Sequence, residues 1–345
     1  MFTTKYGKEN KIGVAIWMKN IVSICLIFFC FYQYYLFHTV HIEESHNLWF
    51  LRLLEYVWSV LELVEKIYKF FINSKRHFIQ LMVTFFTNFK IQNFFRGNIY
   101  SGNFKKFCVP GLNCYSCPAA IGACPIGAFQ AVVGGIKYNF SYYVAGMIMF
   151  FGTLIGRFVC GYLCPFGFFQ DIIFKIKTRK YSTEKLQFLK SFKFIVLIFV
   201  VWIMPVFFAN EFGATIPYFC KYICPQGILE GGIPLAISSK PIRASLGNLF
   251  IVKFLVLFSI TALSVIIYRP FCKFICPLGA FYAPLNKVSF LKYSYLVEKC
   301  INCGKCKSIC DMDVDMRLKQ NSLECIRCDK CRKACPTNAI NRNFK

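Results

Sequence analysis

The chain has 345 residues, 57% of them apolar, with 41 phenylalanines and a formal net charge of +25, and its mean hydropathy is +0.49. It is too apolar for a soluble protein, and the excess lies in discrete runs. The charge alone would fit nucleic-acid binding, but the lysines and arginines flank apolar runs and form no separate basic domain. That pattern is one of membrane topology, and it excludes a nucleic-acid partner.

Residues 1–74 read as an N-terminal anchor and an amphipathic helix. The run at 20–37 ("NIVSICLIFFCFYQYYLF") has no small-residue cleavage site after it, so it is an anchor and not a removable signal peptide. Cys25 and Cys30 inside it are packing residues. His38, His41 and His46 form a loop cluster expected to be solvated, because axial haem pairs face each other from spans. Residues 48–71 carry Glu55, Glu62 and Glu65 among apolar positions at helical spacing, the pattern of a helix lying on a membrane or against another helix.

Residues 75–290 read as a membrane domain. The run at 78–95 is interrupted by Lys90. Those at 138–156, 192–210 and 249–267 approach the roughly twenty residues a span needs. Lys253, one turn inside the last, is expected to snorkel to the interface. Seven lysines and arginines between 171 and 193 (Lys175, Lys177, Arg179, Lys180, Lys185, Lys190 and Lys193) face only Asp171 and Glu184. The loop between 210 and 249 has only Lys221, Lys240 and Arg243. The positive-inside rule then makes the first loop cytoplasmic, the second exoplasmic, and the tail after 268 cytoplasmic. In all, five spans would leave Lys5, Lys8, Lys11 and Lys19 outside and six would put them inside; the sequence leaves both open.

Four stretches repeat across this domain: "AAIGACPIG" (119–127), "RFVCGYLCPFG" (157–167), "PYFCKYICPQG" (217–227) and "RPFCKFICPLG" (269–279). All but the first are C-x3-C-P-x-G. With the topology they make a hairpin used twice: a span, an outer CPxG, a second span, and an inner C-x3-C-P-x-G preceded by Arg157 or Arg269. Internal symmetry of this kind places a site at the repeat interface. Cys160 and Cys164 would face Cys272 and Cys276 on the inner side, four thiolates and the complement of a 4Fe–4S cube. On the outer side Cys220 and Cys224 would meet Cys108, Cys114, Cys117 and Cys124. Ala120 stands where a first cysteine is expected, and six cysteines are two more than one cube takes. Disulfides are the alternative there, since that side can be oxidising.

Residues 291–345 hold eight cysteines in the 36 positions from 300 to 335. Cys300, Cys303, Cys306 and Cys310 follow C-x2-C-x2-C-x3-C, and Cys325, Cys328, Cys331 and Cys335 repeat it, ending in Pro336. This is the two-cluster ferredoxin run, in which three thiolates of one group and the fourth of the other hold each cube. One set is therefore Cys300, Cys303, Cys306 and Cys335; the other is Cys325, Cys328, Cys331 and Cys310. Structural zinc prefers two C-x2-C pairs with a longer linker. Asp311 follows Cys310 where Pro336 follows Cys335, a difference that costs no ligand.

Together the C-x3-C-P motifs and the tail resemble the membrane-bound polyferredoxin family. Its members include electron-transfer subunits associated with periplasmic nitrate reductase and nitrous-oxide reductase, and an accessory protein of cytochrome oxidase assembly. The stretches "FCVPGLNCYSC", "GRFVCGYLCPFGFFQD" and "YRPFCKFICPLGAFY" are most similar to an anaerobe-type subgroup of 4Fe–4S binding proteins. The resemblance runs from about residue 75 to the C-terminus. It implies electron transfer through the membrane by iron–sulfur clusters, with quinone as the exchange partner in some relatives. The six outer cysteines depart from the nitrate-reductase type, so that type's partner does not carry over.

The expectation is a mainly α, polytopic helical protein of the cell membrane with a cytoplasmic two-cluster ferredoxin-like module. It would relay electrons between cytoplasmic and exoplasmic redox partners, as one component of an oxidoreductase system. No nucleotide-binding glycine fingerprint and no acid–base or nucleophile constellation stands out, so the redox chemistry belongs to the cofactors. A metal-handling or maturation factor for an exported enzyme is the alternative, because soft thiolates also suit copper(I). A membrane-anchored redox sensor would need an output domain, and none is visible.

Overall fold

The structure is a computed structural model that describes residues 76–135, 142–210 and 215–344. The expected anchor, the amphipathic helix, Cys25, Cys30 and the three histidines lie outside the described residues. Arg76–Lys345 forms one compact unit. Its helices are α1 (Arg76–Thr87), α2 (Pro125–Gly134), α3 (Tyr142–Ile155) and α4 (Pro165–Phe174), then α5 (Gln187–Phe207), α6 (Gly227–Ser238), α7 (Asn248–Ile266) and α8 (Pro277–Val288).

Two of these helices, α5 with 21 residues and α7 with 19, are long and apolar enough to cross a membrane. At 1.5 Å per residue they reach about 30 Å. Only 28% and 17% of their apolar windows are buried, whereas a core helix of a soluble fold would be mostly covered. Phe192, Ile198, Phe199 and Trp202 on α5 and Val252, Leu255 and Phe258 on α7 all face outward. In the other expected spans the helices are shorter among the described residues. In the 138–156 run the helix covers 14 residues, and Gly156 ends it at φ +54°, where only a residue without Cβ is unstrained. At the 78–95 run the 12-residue helix starts at Arg76, ahead of the run, and stops at Thr87, before the interrupting lysine.

Each CPxG motif opens a helix. Proline bars the residue before it from the α region and is itself suited to the first helical position. Cys124, Cys164, Cys224 and Cys276 accordingly sit at extended ψ values of 127°, 115°, 114° and 112°. The turns before two of them widen to π-helix, Val159–Leu163 and Phe219–Ile223, a local form common at functional sites. The tail is closed by an antiparallel pair, β1 (Leu291–Tyr295) with β2 (Ile340–Phe344), in register Leu291↔Phe344 to Tyr295↔Ile340. Within it the backbone duplicates itself: Asn302 and Gly304 have positive φ after Cys300, as Arg327 and Asp329 do after Cys325. The strained Arg327 is fixed by its side chain, which donates to Ile155 O, Asn286 O and Ser289 Oγ at 2.9, 2.8 and 2.7 Å. Those bonds also dock the tail onto α3 and α8.

Candidate iron–sulfur sites

The CPxG motif builds a thiol site by helix capping. The cysteine caps the helix, and the N–H of the glycine three residues on donates to its sulfur, as a side-chain cap satisfies an orphan donor. Gly279 N lies 3.3 Å from Cys276 Sγ, and the N–H groups of Gly127, Gly167 and Gly227 act on Cys124, Cys164 and Cys224 in the same sense, lowering the thiol pKa values against the effect of burial. The helix N-terminus adds positive potential that favours thiolate. The glycine also clears space. A Cβ would crowd the Arg269 guanidinium at 3.1 Å at Gly167 and Lys253 Nζ at 3.3 Å at Gly227, while at Gly127 and Gly279 it would be in ordinary contact with Cys220 Sγ and Arg157 Nη2.

Cys160, Cys164, Cys272 and Cys276 come together. Burial pushes the Cys164 thiol up to about 12, and the adjoining Cys272 and Cys160 add to the effect. Burial pushes Cys276 up too, reinforced by Cys272, Cys160 and Cys164. The two halves interlock around them. Arg269 Nη1 donates to Cys160 O at 2.5 Å, and Arg157 Nη2 to Cys272 O at 3.4 Å, so each half's arginine holds the other half's first cysteine. Both guanidiniums are fully buried, and their pKa values are raised: burial works against the charge, but Glu324 at Arg157 and Asp171 at Arg269 outweigh it. Gln170 Nε2 donates to Cys272 Sγ at 3.2 Å while its Oε1 accepts the Phe271 N–H at 3.3 Å.

On the other side Cys114, Cys124, Cys220 and Cys224 come together. Burial pushes Cys220 up to about 12, with Cys124 and Cys114 adjoining, and raises Cys224, with Cys220, Cys124 and Cys114 adjoining. These four and Cys108 line one cavity. Cys117 does not line it; it packs with Ala119 and Ala120, its Sγ 3.5 Å from Asn88 Oδ1. Cys114 therefore takes the place that Ala120 leaves open in the repeat. Gln130 repeats the role of Gln170: Nε2 to Cys220 Sγ at 3.3 Å, and Oε1 accepting the Phe219 N–H at 2.9 Å. Lys253 differs from the expectation. It turns inward, its Nζ 3.2 Å from Cys220 O, because an unclaimed carbonyl and the space at Gly227 lie on that side of α7.

Sequence reading missed the two glutamines. Their signal is positional, since the residue six after each CP cysteine is Gln130, Gln170, Glu230 or Tyr282. Three of the four are polar in otherwise apolar helices. Glu230 Oε2 accepts the Cys114 N–H at 3.0 Å, and burial pushes its carboxyl up to about 7. Tyr282 Oη donates to Pro110 O at 3.1 Å.

In the tail, Cys300, Cys303, Cys306 and Cys335 line one pocket. Burial pushes Cys325 up to about 12, with Cys328 and Cys310 adjoining, and raises Cys331, with Cys325, Cys328 and Cys310 adjoining. The fourth cysteine of each run thus crosses to the other group. Asn302 N, Val314 N and Ala339 N donate to Cys300, Cys310 and Cys335 at 3.3, 3.4 and 3.3 Å.

The donor chemistry fits cubes. All eighteen described cysteines are free thiols, including the outer ones for which disulfides were the alternative. Among the described residues no three histidine, cysteine or acidic side chains converge on a single-ion position. Thiols raised by burial would stay protonated alone and are deprotonated outright by a metal. Arg157 Nε, buried without a partner beside Cys160 and Cys272, is a donor suited to cluster sulfur.

A family profile described as a 4Fe-4S binding domain matches residues 122–142, 140–183, 192–233 and 249–293, one CPxG in each. A second of the same description matches 319–341. The chain is therefore a protein of 4Fe–4S binding domains, and its cofactors are 4Fe–4S clusters. It is similar to an uncharacterized protein of Methanocaldococcus jannaschii, 26% identical over 178 residues, covering 50% of this chain and 64% of that one. It is also similar to the methylamine utilization ferredoxin-type protein MauN of Methylorubrum extorquens (22% over 191 residues, 54% and 59%) and of Paracoccus denitrificans (24% over 195 residues, 56% and 54%). The chain thus spans between 54% and 64% of the length of these relatives. No solved structure matches it.

Leucine in place of Gln170 or Gln130 removes a donor to a cysteine sulfur. A donor there favours the more negative, reduced state, so each change is expected to lower the midpoint potential of one cluster and leave the others in place. A redox titration followed by EPR checks this; unchanged midpoints would make the glutamines purely structural.

Proposed function

We propose that the chain is a membrane-integral electron relay with four 4Fe–4S clusters, one at each cysteine set, which supply one-electron storage and transfer. The observation that carries this is the contact between successive sets. Cys303 of the first tail set is exposed. The second tail set abuts the inner set: Tyr162 Oη donates to Cys328 O at 3.5 Å, and a Cβ on Gly161 would lie 2.3 Å from Ile326 O. The outer set abuts the inner one: a Cβ on Gly111 would lie 2.9 Å from Cys164 Cα. The ferredoxin-type name of the MauN relatives and the outward apolar faces of α5 and α7 support the same reading. In it the tail is cytoplasmic and the cavity at Cys114, Cys124, Cys220 and Cys224 opens toward the exoplasmic side, where a protein or quinone partner exchanges the electron.

Protein reconstituted into vesicles around a trapped one-electron dye tests this. With tails outward, reductant added outside should reduce the dye, and Cys→Ala changes at Cys220 and Cys224 should stop it. A reporter active only outside the cytoplasm should work after residue 230 and be silent at the C-terminus. Dye reduction that survives loss of the outer pair, or the reverse reporter pattern, would defeat the reading.

A further inference from the structure

The face around Cys303 is built to receive something. Of the eighteen described cysteines it alone is exposed. Val297 and Ile301 on the tail are 73% and 64% exposed; Ile301 and Lys305 line the pocket of Cys300, Cys303, Cys306 and Cys335. Lys299, Lys305, Lys307, Lys319 and Lys333 are exposed between residues 291 and 344, against one exposed acid, Glu298. Lys307 pairs with Glu184 at 2.9 Å; Lys299, Lys305 and Lys333 form no ion pair among the described residues. The tail's other acids are already paired, Asp311 with Lys330, Asp313 with Lys273, Asp315 with Arg317, Glu324 with Lys193 and Asp329 with Arg342. An apolar centre with a one-signed rim is the pattern of a docking surface, and unpaired lysines steer a partner of opposite charge.

We infer that this face docks an acidic one-electron carrier protein, which exchanges one electron with the group held by Cys300, Cys303, Cys306 and Cys335. The inference rests on the relay reading and names its cytoplasmic partner class. Seating the same lysines on an anionic lipid surface would cover Cys303, whereas a protein partner uses both the lysines and the exposed thiol.

The test uses the full chain, purified anaerobically with its clusters, and a strongly acidic [2Fe–2S] ferredoxin as probe. Each reduced ferredoxin should lose one electron as the tail gains one. Binding should weaken about tenfold or more between low salt and a few hundred millimolar salt. The triple change Lys299→Glu, Lys305→Glu, Lys333→Glu should weaken it by about a further tenfold, with the three glutamine changes intermediate. Reduction of the same variants by an uncharged viologen sulfonate should be unaltered, which shows that the clusters are intact. Ferredoxin binding indifferent to salt and to all three lysines would overturn the proposal. So would loss of flotation with phosphatidylglycerol vesicles in variants that still bind ferredoxin normally, since the face would then seat on lipid. Tail reduction by ferredoxin with the outer set left oxidised would contradict the relay while upholding the docking face.

Discussion

Replacing Cys160 and Cys164 together with alanine should remove the same spectroscopic signal as replacing Cys272 and Cys276 together. The two pairs come from different halves, yet each half's arginine holds a backbone carbonyl of the other and Gln170 of the first half donates to the sulfur of Cys272. A cube that loses one thiolate can accept water or serine; a cube that loses a whole pair is not held. Iron should fall by about four atoms per chain in either double variant. The quadruple variant should lose no more, the non-additivity of residues acting as one unit. Helical circular dichroism and the tail signals should persist, separating cluster loss from unfolding. Two different signals, one lost per pair, would mean separate sites.

The second large effect is expected at Asp171. Its carboxylate is buried and accepts from Arg269 Nε at 2.7 Å and Nη2 at 2.6 Å, from Gln80 at 3.0 Å, and from Arg76. Burial alone would raise its pKa, but the Arg269 and Arg76 guanidiniums hold the carboxyl well below the ordinary range. Asparagine is nearly isosteric but leaves two buried cations without their counterion. Breaking a buried pair this way costs about 3–5 kcal/mol, so Asp171→Asn should shift unfolding in detergent by that amount, read by tryptophan fluorescence. Adding Arg76→Gln should recover part of the loss, because one stranded charge goes with it. The pH dependence follows the sign of the shift: a depressed carboxyl stabilises the fold above its unfolded pKa of about 4 and loses that contribution as pH falls below it. A loss under about 1 kcal/mol would mean that water reaches the pair.

Spacing made the tail cysteines and the CPxG repeat legible, because a cluster ligand pattern is local in sequence. Crossed pairing of Cys310 and Cys335 follows from the same duplication that puts Asn302 and Arg327, and Gly304 and Asp329, at positive φ. Partners that meet across the repeat carry no local mark. Nothing near Cys114 distinguishes it from Cys117; their fates divide on whether each thiol faces α6 or the pocket of Ala119 and Ala120. Lys253 read as an interfacial lysine because its run is apolar, and only tertiary packing turns it toward Cys220 O. The arginines before Cys160 and Cys272 were visible as repeat members, but their exchange between halves was not, since it depends on how the halves are apposed. The 138–156 run ends where the sequence places its end, at the left-handed Gly156.

Iron and acid-labile sulfide per chain, measured on the full protein purified without oxygen, bear most directly on the central claim. Four cubes predict about sixteen atoms of each, with the cluster signals accounting for all of the iron. About eight of each would confine clusters to the tail and return the membrane-domain cysteines to packing, and stoichiometric copper would make the chain a metal handler and contradict the relay.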